Sequence, residues 1–221
     1  MSVLDILINY HMAFLQGLRV TLELCAVIWT SGIVLGVLLG VTSAHFPNSW
    51  GHFTHAMSFA FSAIPTLVVL FWLHYPAQAV FNVVIDPFYT ASLTLSLVNI
   101  FAVGEIVRQA VSDFPKQYII AGQVCGLSRQ DLVTKIQLPI LFRQLLPGLM
   151  VLQVGMLHAT LFASLISVEE IFRVSQRINS TIYRPVEIYT ALAFFFLLVC
   201  LPINLTAAYL KKRYTRDMSE R

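Results

Sequence analysis

Of the 221 residues, 57% are hydrophobic and 11% are charged, with a formal net charge of +3 at neutral pH. An ordinary soluble domain carries about 25% charged residues, so a soluble core of this size is excluded and a bilayer is the environment that hides the apolar surface. A nucleic-acid-binding face is excluded too: ten of the fourteen Lys and Arg fall between Arg108 and Arg143 or in the last eleven positions, which is the placement of cytoplasmic loops beside anionic lipid.

The N-terminus has no positively charged segment ahead of its first apolar run, so no cleaved signal peptide is expected and the first helix should stay in the mature protein. From Leu24 to Ile85 there is no Lys, Arg, Asp or Glu. That stretch is too long for one spanning helix of about 20 residues, and HFPNSWGH (His45 to His52) reads as a turn within it. The predicted spans are 14–44 and 57–80, followed by 87–111, 140–168 and 188–210 from the later charge-free runs. Residues 1–221 thus read as a single all-α integral membrane domain with about five transmembrane helices, without internal repeats. The three cysteines, Cys25, Cys125 and Cys200, have neither the spacing of metal ligands nor that of a disulfide framework.

Lys and Arg set the orientation. The first eighteen residues and the 75–88 segment contain none, whereas the tail and the 108–143 region are basic. This predicts the N-terminus outside and the C-terminus in the cytoplasm, which requires an odd number of spans. Five satisfies it.

The longest polar loop, 115–139, lies between the third and fourth spans. Tyr118–Cys125 should form a short helix. Gly126 suits the left-handed residue that ends it, and Ser128 with Asp131 three residues on forms a variant capping box that starts a second helix. Pro139 is expected to disrupt that helix before the fourth span. A short helix on a rigid corner can be pushed by a partner, or it can lie flat on the membrane surface.

Several motifs resemble the permeases of bacterial ABC importers, in particular the polar-amino-acid group. Their shared loop reads Glu-Ala-Ala, three residues, Gly, then nine residues to Ile-x-Leu-Pro; here Ile120-Ala121-Gly122 is followed by Gly126 and by Ile136-Gln137-Leu138-Pro139. Glu105-Ile106-Val107-Arg108 is similar to the family's Glu-Ile-x-Arg, Pro65-Thr66-Leu67-Val68 to its second-span proline segment, and Pro185-Val186-Glu187-Ile188-Tyr189 to its Pro-x-Glu-x-Tyr. Thr160, Ile166 and Glu170 keep their places in the fourth-span motif. The departures are Ile120 for the family's Glu, Gly122 for its second Ala, His158 and Ala159 for a Lys-Asp pair, and Ser62 for an Arg.

The resemblance implies a multi-pass permease of the bacterial inner membrane. Its cytoplasmic coupling helix would dock on an ATP-binding subunit, which would use the ATP and Mg, while this chain would bind no cofactor. A second permease, identical or homologous, would complete the pathway, and an extracytoplasmic substrate-binding protein would deliver a polar amino acid or similar small polar solute. The coupling contacts would be Ile119, Ile120, Ala121, Val124, Gly126 and Leu127.

Other residues carry two readings each. Glu105 and Arg108, at i,i+3 spacing, either link the loop to the helix bundle or form a local ion pair, as Arg19 and Glu23 do near the outer end of the first span. His158, Thr160 and Gln153 are polar groups within the fourth span, lining a pathway or satisfied by a neighbouring helix. Glu170 on the outer side could attract a cationic amino acid or be a solvated loop charge. No catalytic or metal set emerges. The phosphate-cradling GxxxxGK[ST] is absent, and Ser164 with His158 lacks a Gly-x-Ser-x-Gly elbow, so the chain reads as a non-catalytic subunit. A stand-alone channel or ion-coupled carrier using Glu105 and His158 is the rival reading.

Overall fold

The computed structural model describes residues 3–219, with side chains described as far as Tyr214, and every regular element among them is helical. A short helix, α1 (Val3–Asn9), leads into α2 (His11–His45). At about 1.5 Å per residue, the 35 residues of α2 exceed the roughly 30 Å hydrocarbon layer, so its ends reach past it.

Next come α3 (Ser49–Ala63) and α4 (Thr66–Phe81), which meet at 98°. The bend falls within the span expected over 57–80. Pro65 has no N–H and disfavours helical backbone in the residue before it, and Ile64 is accordingly extended at φ −93°, ψ 128°. Within α4, a π-helical turn over Leu73–Ala77 takes in Pro76 without a second break. By length and apolarity the chain has four helices able to cross a membrane, or five if the bent pair is one broken span.

The third apolar segment, α5 (Pro87–Ser112), starts sharply. The Asp86 carboxylate accepts the Phe88 N–H at 2.8 Å, and Pro87 occupies the first helical position, where its missing N–H is not needed. After the loop helix α6 (Lys116–Val124), helix α7 runs from Arg129 to Ile166. The break expected at Pro139 is absent. A proline breaks a helix through its missing N–H and through the clash of its ring with the carbonyl four residues back; the π-helical turn over Leu132–Gln137 widens the helix just ahead of Pro139 and relieves both. Its last turn tightens to 3-10 geometry over Thr160–Ile166 and stops at Ser167, which is left-handed.

The segment between the predicted spans 140–168 and 188–210 is not all loop. It holds α8 (Ile171–Ile182), whose apolar positions at i, i+3 and i+7 (Ile171, Val174, Ile178) are buried. Val174 and Ile178 pack with Ile6, Phe14 and Ile188. The chain closes with α9 (Pro185–Ser219).

The centre of the bundle is α5, which lies along α2 and also meets α3, α4 and α7. What brings α2 and α5 together is a stripe of small residues. A Cβ on Gly36 would stand 2.7 Å from Val103 Cβ, and one on Gly40 would stand 2.5 Å from the Gly104 carbonyl oxygen. Glycines four residues apart let two backbones approach where hydrocarbon supplies no hydrophobic drive between helices. The spacing is visible in Gly32-x-x-x-Gly36-x-x-x-Gly40, but the helix it serves is not.

Candidate functional site

The loop between α5 and α7 is built from local signals. Helix α6 ends in a Schellman turn: Leu127 N–H donates to the Gly122 carbonyl at 3.1 Å and Gly126 N–H to the Gln123 carbonyl at 3.0 Å, with Gly126 at φ +76°. The Ser128 hydroxyl then accepts the Asp131 N–H at 3.1 Å and donates to the Asp131 carboxylate at 2.8 Å, while Lys135 pairs with the same carboxylate at 2.6 Å. Gly122 is buried where α6 crosses the start of α7; a Cβ there would meet the Leu132 side chain at 2.4 Å. The loop is therefore braced against the fourth apolar helix.

Not all of the expected contact residues point outward. Ile120 is 58% and Val124 82% exposed, and Ala121 is exposed beside them. Ile119 and Leu127 are half-buried, Leu127 beside Gly122. Adjacent residues lie about 100° apart around a helix, so Ile119 and Ile120 cannot share a face, whereas Ile120 and Val124 at i,i+4 do. Gly126 is also exposed, with open space around it.

Glu105 and Arg108 lie near the end of α5 and pair with each other, the Arg108 guanidinium donating to both carboxylate oxygens at 2.9 and 2.6 Å. Gln109 donates to Glu105 at 2.7 Å, and His55 Nδ1 of α3 lies 3.3 Å from it. The cluster thus joins α5 to α3, without touching the 115–139 loop. It lines one end of a cleft of about 410 Å³ that also includes Ser58, Phe61 and Ser62.

The polar residues of the fourth span diverge. Asn99 of α5, which the sequence reading did not single out, is fully buried. Its Nδ2 donates to the Ile28 carbonyl at 2.9 Å and to Gln153 Oε1 at 3.0 Å, and Gln153 Nε2 donates back to Asn99 Oδ1 at 3.2 Å. One amide pair thereby ties α2, α5 and α7. Thr160 is buried and donates to the Leu157 carbonyl at 2.7 Å. In this conformation Gln153 and Thr160 face the chain's own interior rather than a pathway. His158 alone of the three reaches the surface, with Nε2 3.3 Å from the Cys200 sulfur of α9 and its ring edge-on to Phe196.

Glu170 is neither solvated nor open to a ligand. Its side chain is fully buried and caps α8, accepting the N–H groups of Phe172 at 2.9 Å and Arg173 at 2.8 Å. Alongside, Ile171 N–H donates to the Thr21 hydroxyl, fastening the start of α8 to α2. Burial lifts the Glu170 carboxyl from 4.5 to about 7; the two N–H donors oppose the rise and Glu169 adds to it. The sign follows: over that interval the folded state holds a proton that the unfolded state has released, so stability falls as pH rises from about 4.5 to about 7. Thermal unfolding of the detergent-solubilised chain should therefore be less stable at neutral than at mildly acidic pH, by up to about 3 kcal/mol. Glu170→Gln, which keeps an acceptor but never ionises, should flatten the dependence. An unchanged pH profile in that variant would assign the effect to another group.

Comparison with known proteins places these features in context. The sequence model of the family described as "Binding-protein-dependent transport system inner membrane component" matches residues 32–216. The chain is 27% identical over 200 residues to the glutamine transport system permease protein GlnP of Escherichia coli, covering 90% of this chain and 91% of that one. It is 29% identical to the L-cystine transport system permease protein TcyB of Bacillus subtilis (92% and 87% covered), and 26% identical to the histidine/lysine/arginine/ornithine transport system permease protein HisQ of Salmonella typhimurium (95% and 96%). Among solved structures it is similar to a chain of an amino acid ABC transporter crystallised with histidines, at TM-score 0.83 and 20% identity over 96% of this chain and 99% of that one. A chain of the methionine ABC transporter MetNI in an inward-facing conformation superposes with TM-score 0.70 at 15% identity, over 93% of this chain and 98% of that one.

Proposed function

Since this chain belongs to the family of binding-protein-dependent transport system inner membrane components, and so is a membrane permease of an ABC importer, we propose that it forms half of a pathway for a polar amino acid and is driven through its 115–139 loop by an ATP-binding subunit. The observation that carries the coupling role is the exposed Ile120–Val124 edge on a helix closed at its C-terminal corner and braced on α7. A free apolar edge on so rigid a mount suits a groove on a partner, and force applied there passes directly into α7, since no break intervenes at Pro139. The substrate class rests on the relatives, which are transport proteins for glutamine, for cystine and for histidine, lysine, arginine and ornithine.

In this reading the bent pair α3–α4 is one broken span, the N-terminus lies outside, and the C-terminus and the 115–139 loop are cytoplasmic. Ile120, Ala121 and Val124 make the contact; Ile119, Gly122, Gly126 and Leu127 hold its shape. Glu105 and Arg108 fasten α5 to α3 close to the loop. His158, exposed at the surface beside Cys200 and Phe196, is the pathway candidate, with Gln153, Thr160 and Glu170 setting the framework behind it. A second permease completes the pathway, the ATP-binding subunit uses ATP and Mg, and an extracytoplasmic binding protein delivers the solute.

The test is reconstitution in liposomes with the ATP-binding subunit and the second permease subunit, following labelled glutamine, cystine and arginine. Uptake of one of them only with ATP and binding protein supports the proposal. Flux by this chain alone, independent of ATP, would replace it with a channel.

A further inference from the structure

Residues of α7 and α9 line a groove of about 570 Å³ towards the end of the bundle where the tail leaves. Its lining includes the small or apolar Gly148, Val151 and Ala208, the polar Asn204, and the cations Arg143 and Lys211. Three observations bear on what occupies it. Neither cation has an acidic partner among the described residues, a state they share with Lys116, Arg129, Lys212 and Arg213, but only these two share a groove whose lining holds no Asp or Glu. The lining beside them admits a chain: Gly148 has nothing within 4 Å of where a Cβ would sit. The two ends also differ in chemistry, charged at Arg143 and Lys211 and apolar toward the middle of both helices, and each helix is among those able to cross a membrane.

We propose that this groove binds an anionic phospholipid, with Arg143 and Lys211 on its phosphate and one acyl chain laid over Gly148, Val151 and Ala208. Two unpaired cations beside an apolar trough match an amphiphile with an anionic head. The groove's own lining offers these cations no carboxylate, and a lipid phosphate supplies the missing charge. Placing the lipid in the cytoplasmic leaflet rests on the orientation proposed above. Lipid binding is read without transport, so failure of the orientation and failure of the site are separable.

The test uses the whole transporter, purified with its ATP-binding subunit, stripped of lipid and exposed to mixed micelles of phosphatidylglycerol and phosphatidylethanolamine in equal amounts, with native mass spectrometry counting retained lipid. The wild type should retain phosphatidylglycerol selectively. Arg143→Gln with Lys211→Gln should lower that retention about tenfold to thirtyfold, and Gly148→Leu, which fills the trough and leaves the charges, should lower it as well. Lys116→Gln with Arg129→Gln, removing as much charge from the loop, should leave it unchanged. Equal retention of both lipids, equal loss in the loop control, or no effect of Gly148→Leu would each overturn the site. So would retention by the isolated chain but not by the assembled transporter, since the groove would then be a protein interface.

Discussion

Gly36→Val combined with Gly40→Val should lower the stability of the detergent-solubilised chain by at least about 3 kcal/mol, because overpacking costs about 1–3 kcal/mol at each site and neither site can relax cheaply. The atoms in the way are the Val103 and Val107 side chains and the backbone oxygens of Ile100 and Gly104. Backbone cannot rotate aside as a lysine tip can, so α2 would have to lift away from α5. With it would go the Asn99 amide bonds that need Ile28 and Gln153 at hand, leaving buried polar groups unpaired in hydrocarbon. Gly155→Ala is the control: it has nothing within 4 Å and should gain the roughly 1 kcal/mol by which Ala exceeds Gly in a helix. Thermal unfolding with a tryptophan or light-scattering readout checks both. A double variant that melts with the wild type would mean that α2 and α5 do not meet along this stripe.

The second large effect is expected at the loop. Ile120→Asp with Val124→Asp should leave folding and membrane insertion intact, since both side chains are exposed, and should abolish co-purification of the ATP-binding subunit. Burying a Val or Ile side chain is worth about 1.5–3 kcal/mol, so losing two and adding two charges to desolvate should weaken the contact at least about a hundredfold. Ile119→Asp is a different experiment. That side chain is half-buried, and its replacement should loosen the loop itself. Gly126 differs again: the space around it is open, so replacement by Ala acts through the left-handed backbone, costing about 1–2 kcal/mol, and not through bulk. Normal assembly and ATP-dependent uptake by the Ile120/Val124 double variant would remove the loop helix from the coupling role.

Much of this was legible because it is local. The capped corner at Gly126 and Ser128 depends on residues within three to five positions of each other, and those chemistries act the same in any fold. Two prolines show the limit. Pro65 bends the second apolar segment through 98° while Pro139 bends nothing, because a π turn ahead of Pro139 absorbs its clash. Nothing in the two dipeptides distinguishes them. Helix α8 was hidden by its flanking charges, though Ile171, Val174 and Ile178 carry the helical period. Glu170 was misread for a related reason, since a carboxylate next to a helix start can face water or cap the helix, and only the packing of α8 on α2 buries it.

By itself the sequence determined the solvent and the local grammar: long apolar runs, the one extended polar loop with its capping residues, and motifs dense enough to suggest the family. Hydropathy and capping are summed over near neighbours, so they survive without knowledge of the fold. The tertiary structure decided which side chains meet: that the glycine stripe of α2 receives α5, that Asn99 and Gln153 satisfy each other, that His158 turns outward, and that Arg143 and Lys211 share a groove. The paired residues lie 54 to 71 positions apart in the chain. In a membrane, where apolar surface is welcome on every face, hydrophobicity cannot say which face of a helix is inside; only close packing and paired polar groups can.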